Sequence, residues 1–254
     1  MHMALNWSRK RQMFILGGAG LFALVLMGIL TFFLLYKPPT CTDGKQNGDE
    51  TGVDCGGSCA YVCNVTVEAP RVIFARTVAT AGRTDAIAYI ENRNQREEAK
   101  AAPYVIELFD ESGTLISSRE GVIDLPPRSI VPLYVPSFAS GIAFTPRAFV
   151  SFGESMKWRI QTEAISEPTV SNVALLTGAS PRVTATITNT SAISMGEREV
   201  VATVFDAEGL ALAASRTVIQ ALAPRAEANA VFTWSEPFPG EAIRVEVRVI
   251  PVLR

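Results

Sequence analysis

One uninterrupted apolar stretch limits what this chain can be. From Met13 to Tyr36 the sequence has no charged residue, and Thr31 is its only ordinary polar side chain. At about 1.5 Å of rise per residue a helix of this length reaches roughly 36 Å, which exceeds the roughly 30 Å hydrocarbon core of a bilayer. A helix also satisfies its own backbone hydrogen bonds where lipid offers no partners. We therefore predict a transmembrane helix over residues 13–36.

The charges beside this stretch predict its orientation. Arg9, Lys10 and Arg11 directly precede it, whereas acidic residues follow Lys37. By the positive-inside rule, residues 1–12 form a cytoplasmic tail and the remainder is extracytoplasmic. The alternative is a cleaved signal peptide, whose apolar region would be shorter and would end in small residues. This one ends in bulky residues, so we interpret it as an uncleaved signal anchor of a single-pass cell-membrane protein.

Charge and histidine content exclude several functions. A formal net charge of −2 provides no basic surface for phosphate groups, so nucleic-acid binding is not expected. The single histidine, His2, precedes the apolar stretch, so no histidine is available beyond it for a Ser-His-Asp triad or a histidine-rich zinc site. The expected partners are the membrane and other proteins of the envelope.

All four cysteines fall in a short polar module at residues 37–64. Cys41, Cys55, Cys59 and Cys63 lie among glycines and acidic residues that cannot form a hydrophobic core. Outside the cytoplasm, two disulfides are expected to hold such a module together, and four cysteines allow three pairings. A four-thiolate zinc site is the alternative, since the spacing of the last three cysteines suits metal ligands.

The same module contains candidate calcium ligands. Oxygen-bearing side chains alternate with glycines that permit tight turns, as calcium loops require. These candidates are Asp43, Asn47, Asp49, Glu50 and Asp54. The spacing does not match an EF-hand, and the same residue types are common in ordinary turns. Calcium is the one cofactor that the sequence suggests.

The module resembles a motif of known envelope proteins. The order Cys41-x-Asp-Gly-x-x-Asn-Gly, then Gly-x-Asp-Cys55-Gly-Gly-x-Cys59, is similar to that of uncharacterised single-span bacterial proteins of the Patescibacteria type. The resemblance implies an envelope location and a multidomain architecture. It assigns no functional residue.

The remaining sequence contains one pattern twice. Asn92 corresponds to Asn189, Phe109-Asp110 to Phe205-Asp206, Gly113 to Gly209, and Pro127-Arg128 to Pro224-Arg225. Nearly constant spacing between four pairs of landmarks indicates a tandem duplication. In both copies a β-rich run ends at an Asp-x-x-Gly turn, which predicts a hairpin.

Short strands without an amphipathic helix between them predict two immunoglobulin-like antiparallel β-sandwiches, at residues 65–164 and 165–254. The fold class is thus an all-β ectodomain preceded by one transmembrane helix and a small cysteine-rich module. The repeated order of asparagine, Phe-Asp-x-x-Gly and Leu-x-Pro resembles FxLYD-type domains of bacterial envelope proteins. That family usually has Tyr-Asp where this chain has Phe109-Asp110 and Phe205-Asp206.

The sequence offers few candidates for catalysis. Glu97-Glu98 is expected in a polar loop, and Asp110-Glu111 begins a hairpin turn without a second carboxylate at Asp206 in the other copy. Trp158 and Trp234 lie on predicted strands and are expected in the core. We therefore predict no enzymatic activity and no catalytic residues.

The resulting hypothesis is a membrane-anchored envelope protein with a non-catalytic binding, adhesion or scaffolding role. One alternative is a subunit of an envelope secretion or pilus-type assembly. Another is an extracytoplasmic carbohydrate-binding or calcium-binding module.

Overall fold

The computed structural model describes residues 7–36, 38–80, 82–140, 146–153, 155–162 and 167–253. The predicted boundary between residues 164 and 165 lies outside this part of the chain, as do residues 1–6 of the predicted tail and Lys37. Within it, one long helix precedes fourteen strands. The predicted all-β region after a single apolar helix is confirmed.

Helix α1 (Trp7–Leu35) begins before the apolar stretch, so Arg9, Lys10 and Arg11 form part of its first turns. It ends just before Pro38 and Pro39, since proline cannot donate the backbone hydrogen bond that a helix needs and restricts the residue before it. The segment Arg9–Leu35 is long and apolar enough to cross a membrane, and none of it is buried against the rest of the protein.

All strand pairs are antiparallel, and a short 3-10 turn, Asn64–Thr66, follows the first strand. The strands are β1 (Tyr61–Val62), β2 (Arg71–Thr80), β3 (Arg83–Asn92), β4 (Glu97–Phe109), β5 (Leu115–Leu125), β6 (Ser129–Ser140), β7 (Arg147–Phe152), β8 (Trp158–Ile160), β9 (Thr169–Leu176), β10 (Arg182–Thr188), β11 (Arg198–Phe205), β12 (Ala211–Ile219), β13 (Glu227–Thr233) and β14 (Arg244–Val249).

The first sandwich consists of two sheets. One has the strand order β2-β3-β6, and the other has the order β1-β8-β4-β5 with β7 also paired to β4. Between them lies a core that includes Ile90, Ile106, Leu108, Leu125 and Trp158, all at most 2% exposed. Alternate residues of each strand point into this core, as expected for strands with a two-residue repeat.

The second sandwich also has two sheets, with strand orders β13-β10-β9 and β12-β11-β14. Its core includes Val183, Ile187, Val200, Phe232 and Trp234. The two tryptophans that the sequence placed in the cores are therefore buried, one in each sandwich.

A third apolar cluster joins the two sandwiches. Ala86, Ala88 and Ile90 of β3 face the first core, whereas Ile87 and Tyr89 of the same strand face β11 and β12 of the second sandwich. Strand β11 divides in the same way, with Val200, Ala202 and Val204 in the second core and Val201 and Phe205 in the shared cluster. The two sandwiches therefore stack as four continuous β-layers.

The asparagine landmarks of the two sandwiches make the same contacts. The Asn92 amide donates to the carbonyl oxygens of Glu97, Leu125 and Pro126, at 2.9, 3.1 and 2.8 Å. The Asn189 amide donates to those of Ile193, Leu222 and Ala223, at 2.9, 3.2 and 3.0 Å. Each asparagine therefore connects, by hydrogen bonds, the end of its own strand to the turn that follows a second strand.

The turn landmarks agree as well. Asp110 accepts a hydrogen bond from the Thr114 amide, and Asp206 accepts one from the Leu210 amide, both at 2.7 Å. Gly113 and Gly209 then adopt positive φ angles of 85° and 78°, where a side chain would be strained. The predicted hairpins are thus present between β4 and β5 and between β11 and β12.

One local prediction is wrong. Glu97 and Glu98 are not in a loop, because β4 begins at Glu97 and pairs with β8 there. The Glu98 side chain is 5% exposed and accepts a hydrogen bond of 2.6 Å from Arg159. This buried ion pair stabilises a strand position that the local polarity of the sequence concealed.

Candidate functional site

The cysteine module is held by two disulfides. Cys41 pairs with Cys59 and Cys55 with Cys63, with Cα atoms 5.6 and 5.0 Å apart. This selects one of the three pairings that the sequence left open. With all four sulfur atoms bonded, no thiolate remains for the alternative zinc site.

The acidic residues of the module act as hydrogen-bond acceptors for its own backbone. The Asp54 carboxylate accepts from the Gly44 amide, at 3.1 and 3.0 Å. Glu50 accepts from the amides of Asn47 and Asp54, at 3.2 and 3.3 Å. These contacts give the glycine-rich loop a fixed shape that its few apolar residues could not provide.

The other two carboxylates accept from side chains. Asp49 accepts from the Ser58 hydroxyl at 2.7 Å, and Asp43 accepts from the Asn47 amide at 2.9 Å. The hydrogen bond from Asn47 lowers the pKa of Asp43, which is solvent-exposed. All five predicted calcium ligands therefore lie in one hydrogen-bonded loop.

The loop does not bring three of its carboxylates within 4.8 Å of one another. The group that does lie this close, among the described residues, is Glu50 with Cys41 and Cys59. Those two sulfurs form a disulfide, so they are poor metal ligands. Calcium binding here stays a prediction.

The module is attached directly to the first sandwich. Tyr61 and Val62 of β1 pair with Arg159 and Trp158 of β8, which makes the module an extension of that sheet. The Lys157 ammonium lies 5.1 Å from the centre of the Tyr61 ring. Val62 packs against the first core. The module is thus continuous with the β-structure of the first sandwich.

Aromatic rings form the centre of the contact between the sandwiches. Phe74 of β2 stacks on Tyr89 of β3 with ring centroids 4.8 Å apart, and both meet Phe205 of β11 edge to face at 6.1 Å. Burial raises the pKa of Tyr89 to about 12. A desolvated aromatic cluster of this kind characterises the energetic centre of stable interfaces.

Charged residues of β14 surround the aromatic cluster. The Arg244 guanidinium lies 4.1 Å from the centre of the Phe205 ring, and that of Arg248 lies 5.5 Å from the centre of the Tyr89 ring. Glu246 forms ion pairs with both arginines. The arginines therefore cover the rings of two different sandwiches while their charges are partly neutralised.

The last residues of the chain return to the first sandwich. The Ile250 amide donates to the Glu199 carbonyl at 2.8 Å, and the buried Leu253 donates its amide to Asp124 of β5 at 2.7 Å. Asp124 also accepts from the Ala101 amide at 2.7 Å, at a bulge in β4. Residues 250–253 therefore join the second sandwich to the far sheet of the first.

A buried carboxylate lies in the first sandwich near this interface. Asp85 is fully buried, and it accepts hydrogen bonds from the Tyr134 hydroxyl and the Ser137 amide, both at 2.7 Å, and pairs with Arg83 at 3.1 Å. Burial and the contact with Asp85 raise the pKa of Tyr134 well above its ordinary value. The Asp85 carboxylate therefore has a structural role, because its hydrogen bonds lie where the pairing of β3 with β6 is irregular.

The interface residues were not predicted from the sequence. Arg244 and Arg248 of β14 cover aromatic rings of both sandwiches, and no pattern described above pointed to them. The sequences of β3 and β11 did contain a pattern that indicates burial on both faces. Their runs from Ala86 to Ile90 and from Val200 to Phe205 lack regular apolar and polar alternation, which is typical of strands buried on both faces.

No protein-family model matches the chain, and no curated protein matches it in sequence. Among solved structures, the transglutaminase of red sea bream is similar over 74% of this chain and 32% of its own, with 10% identity and a TM-score of 0.23. A β-glucuronidase from glycoside hydrolase family 2 is similar over 86% of this chain and 29% of its own, with 9% identity and a TM-score of 0.22. This chain thus spans about a third of each enzyme, and similarity this low has no bearing on function.

Proposed function

We propose that this protein is a membrane-anchored envelope protein with a non-catalytic scaffolding or binding role. In this proposal α1 anchors the chain, residues 1–12 face the cytoplasm, and the sandwiches lie on the opposite side. The basic residues Arg9, Lys10 and Arg11 support that orientation, and the two disulfides suit an oxidising compartment.

The observation that carries the proposal is the unbroken series of contacts from the cysteine module to the second sandwich. Only residues 36–40 separate α1 from Cys41 and its disulfide. The module then continues into the sheet of the first sandwich, which shares an apolar cluster with the second. Such a continuous body keeps the cysteine module and the second sandwich at a set distance from each other, as a scaffold requires.

Two buried carboxylates also support a non-catalytic role. Glu98 is paired with Arg159, and Asp85 is bound by Tyr134, Ser137 and Arg83. A general acid or base needs access to a substrate, and these two carboxylates are buried beside structural partners. Trp158 and Trp234 are buried as well, so neither indole can serve as an exposed platform for a sugar ring.

Reporter fusions test the topology. Alkaline phosphatase joined after Arg254 through a flexible linker is expected to be active, because it folds only outside the cytoplasm, and green fluorescent protein at the same position is expected to be dark. The reverse pattern would place the sandwiches inside the cell. Mature protein lacking α1 would instead identify a cleaved signal peptide.

Site-specific crosslinking in intact cells tests the scaffolding role. A photoreactive amino acid at the exposed positions of Val122 or Val173 is expected to capture envelope proteins, whereas the same group at buried Val183 serves as a matched control. Capture of a fixed set of membrane subunits would favour the secretion or pilus-type assembly. Substrate turnover by the purified full-length protein would contradict the non-catalytic role.

A further inference from the structure

A cleft of about 300 Å³ lies between the two sandwiches. The start of β6 forms one side, the end of β14 and residues 250–252 form another, and the segment from Glu167 to Val170 closes a third. Because both sandwiches contribute to its walls, the cleft exists only in the stacked arrangement.

Arginines dominate the charge of this cleft. Arg128, Arg198 and Arg248 line it, and Glu167 is the one acidic residue among its lining residues that the structure describes. The chain as a whole has a formal net charge of −2, so this is a local concentration of positive charge. Clefts with low-dielectric walls focus such charge and attract oppositely charged ligands.

Each arginine is positioned by a different part of the fold. Arg128 stands at the turn before β6, and its backbone amide donates to the Asn94 carbonyl at 3.1 Å. Arg198 begins β11 and donates to the Glu197 carbonyl at 2.9 Å. Arg248 is held on β14 by the Ile130 carbonyl at 3.4 Å and by Glu246 at 3.2 Å. Glu246 is shared with Arg244, so it neutralises only part of the charge of Arg248.

Apolar residues form the rest of the wall. Val131, Val170, Val247 and Ile250 line the cleft together with the three arginines. Pockets that combine an apolar surface with a few charged groups bind small ligands by burying one part and pairing the other. Guanidinium groups match the planar or tetrahedral oxygens of carboxylates and phosphates.

We propose that this cleft binds a small ligand that carries a phosphate or carboxylate group. Arg128 and Arg198 pair with the anionic group, and Arg248 adds positive charge from the side of the interface. The aliphatic wall contacts the remainder of the ligand. The ligand lies across both sandwiches, so its binding stabilises the stacked arrangement. This inference goes beyond the scaffolding role and does not depend on the side of the membrane that the sandwiches occupy.

Isothermal titration tests the proposal on the full-length protein in nanodiscs of phosphatidylcholine. Inorganic phosphate, citrate and phenyl phosphate are the probes, at constant ionic strength set with sodium chloride. We expect saturable binding, with phenyl phosphate tighter than inorganic phosphate because of the aliphatic wall. Raising the salt concentration is expected to weaken binding by screening.

The chain provides a matched control for the key arginine. Arg128 and Arg225 have the same left-handed backbone, with φ angles of 52° and 62°, and their amides donate to the carbonyls of Asn94 and Asn189, respectively. Arg225 does not line the cleft. Arg128→Gln and Arg198→Gln are each expected to weaken binding roughly tenfold or more, and Arg225→Gln is expected to leave it unchanged.

Two results would overturn the site. The first is an absence of saturable binding of all three probes to the native protein. The second is an equal loss of affinity in Arg128→Gln and Arg225→Gln, which would indicate nonspecific attraction to surface charge. Adding phosphatidylglycerol to the nanodiscs identifies the source of the anion. Displacement of phenyl phosphate assigns the cleft to a lipid headgroup, and unchanged affinity assigns it to a free ligand.

Discussion

Tyr89 and Phe205 belong to different sandwiches, yet their rings meet edge to face with centroids 6.1 Å apart. Phe205 is 2% exposed, and Phe74 and Arg244 also contact its ring. This cluster converts two sandwiches into one body, because its apolar area is removed from water only while they are stacked.

Removing the Phe205 ring is expected to uncouple the sandwiches. We expect Phe205→Ala to lower the free energy of unfolding by about 3–5 kcal/mol, the usual cost of truncating a buried phenylalanine. We also expect one thermal transition to separate into two, because each sandwich keeps its own core. Tryptophan fluorescence of the full-length protein in detergent reports both, since each core contains one tryptophan. Val218→Ala, an exposed position on β12, is the control, and an equal effect there would contradict this prediction.

Asn92→Ala and Asn189→Ala are expected to be similarly damaging, although they lie in different sandwiches. Each substitution removes the amide contacts to three backbone carbonyls, and the loss of each hydrogen bond costs about 0.5–1.5 kcal/mol. The carbonyls of Pro126, Leu222 and Ala223 keep a second donor, so the larger cost of an unsatisfied buried group is not expected there. Urea denaturation should show a lower midpoint for both variants. The exposed Asn229→Ala on β13 should leave it within experimental error. A large effect at one asparagine alone would show that the two positions are not equivalent in stability.

The adjacent residues Glu97 and Glu98 provide a test of the buried ion pair. Glu98→Gln removes the carboxylate that pairs with the Arg159 guanidinium, which is 33% exposed. Because Arg159 can still reach water, we expect a loss of about 1–3 kcal/mol, less than for a fully buried pair. Glu97→Gln, at the more exposed neighbouring position, should cost little. Thermal denaturation of both variants measures the difference, and equal melting temperatures would rule out a stabilising pair.

The sequence predicted those parts of the fold that depend on local patterns. The β-rich runs ending at Asp110 and Asp206 produce the predicted hairpins, because an aspartate acceptor and a glycine with positive φ specify the turn locally. Strands β9, β10 and β12 are likewise regular runs bounded by polar or turn residues.

Contacts between distant residues could not be predicted in the same way. The stacking of the sandwiches depends on Tyr89 meeting Phe205, and the disulfide pairing depends on the course of the loop between Cys41 and Cys63. The arginine cleft combines Arg128, Arg198 and Arg248 from three separate segments. No periodicity within a single strand encodes such a meeting, so the candidate site became visible only in the folded arrangement.

Each disulfide is expected to stabilise the cysteine module without supporting the four-layer stack. Cys55 and Cys63 are separated by 8 positions, and Cys41 and Cys59 by 18. In the loop-entropy description each bond contributes about 2–3 kcal/mol to the module. Replacing either pair with serines should therefore accelerate hydrogen exchange at Tyr61 and Val62 of β1. Exchange at Val200 and Val201 of β11 is the internal control, and acceleration there as well would show that the module supports the whole structure.

Tyr89 predicts a loss of stability in alkali. Burial raises its pKa to about 12 in the folded protein, above the value of about 10 expected in the unfolded chain. The folded state therefore favours the neutral phenol, and this contribution is complete below pH 10 and is lost as the pH rises towards 12. We expect the unfolding free energy to fall by at most about 2–3 kcal/mol over this range.

Urea denaturation at intervals between pH 9 and pH 12 measures the slope of the unfolding free energy against pH, and Tyr89→Phe, which keeps the ring, should reduce that slope. Tyr104 and Tyr134, whose pKa values burial also raises, account for the slope that remains. An unchanged slope in Tyr89→Phe would show that the phenol at the interface is not the group that titrates.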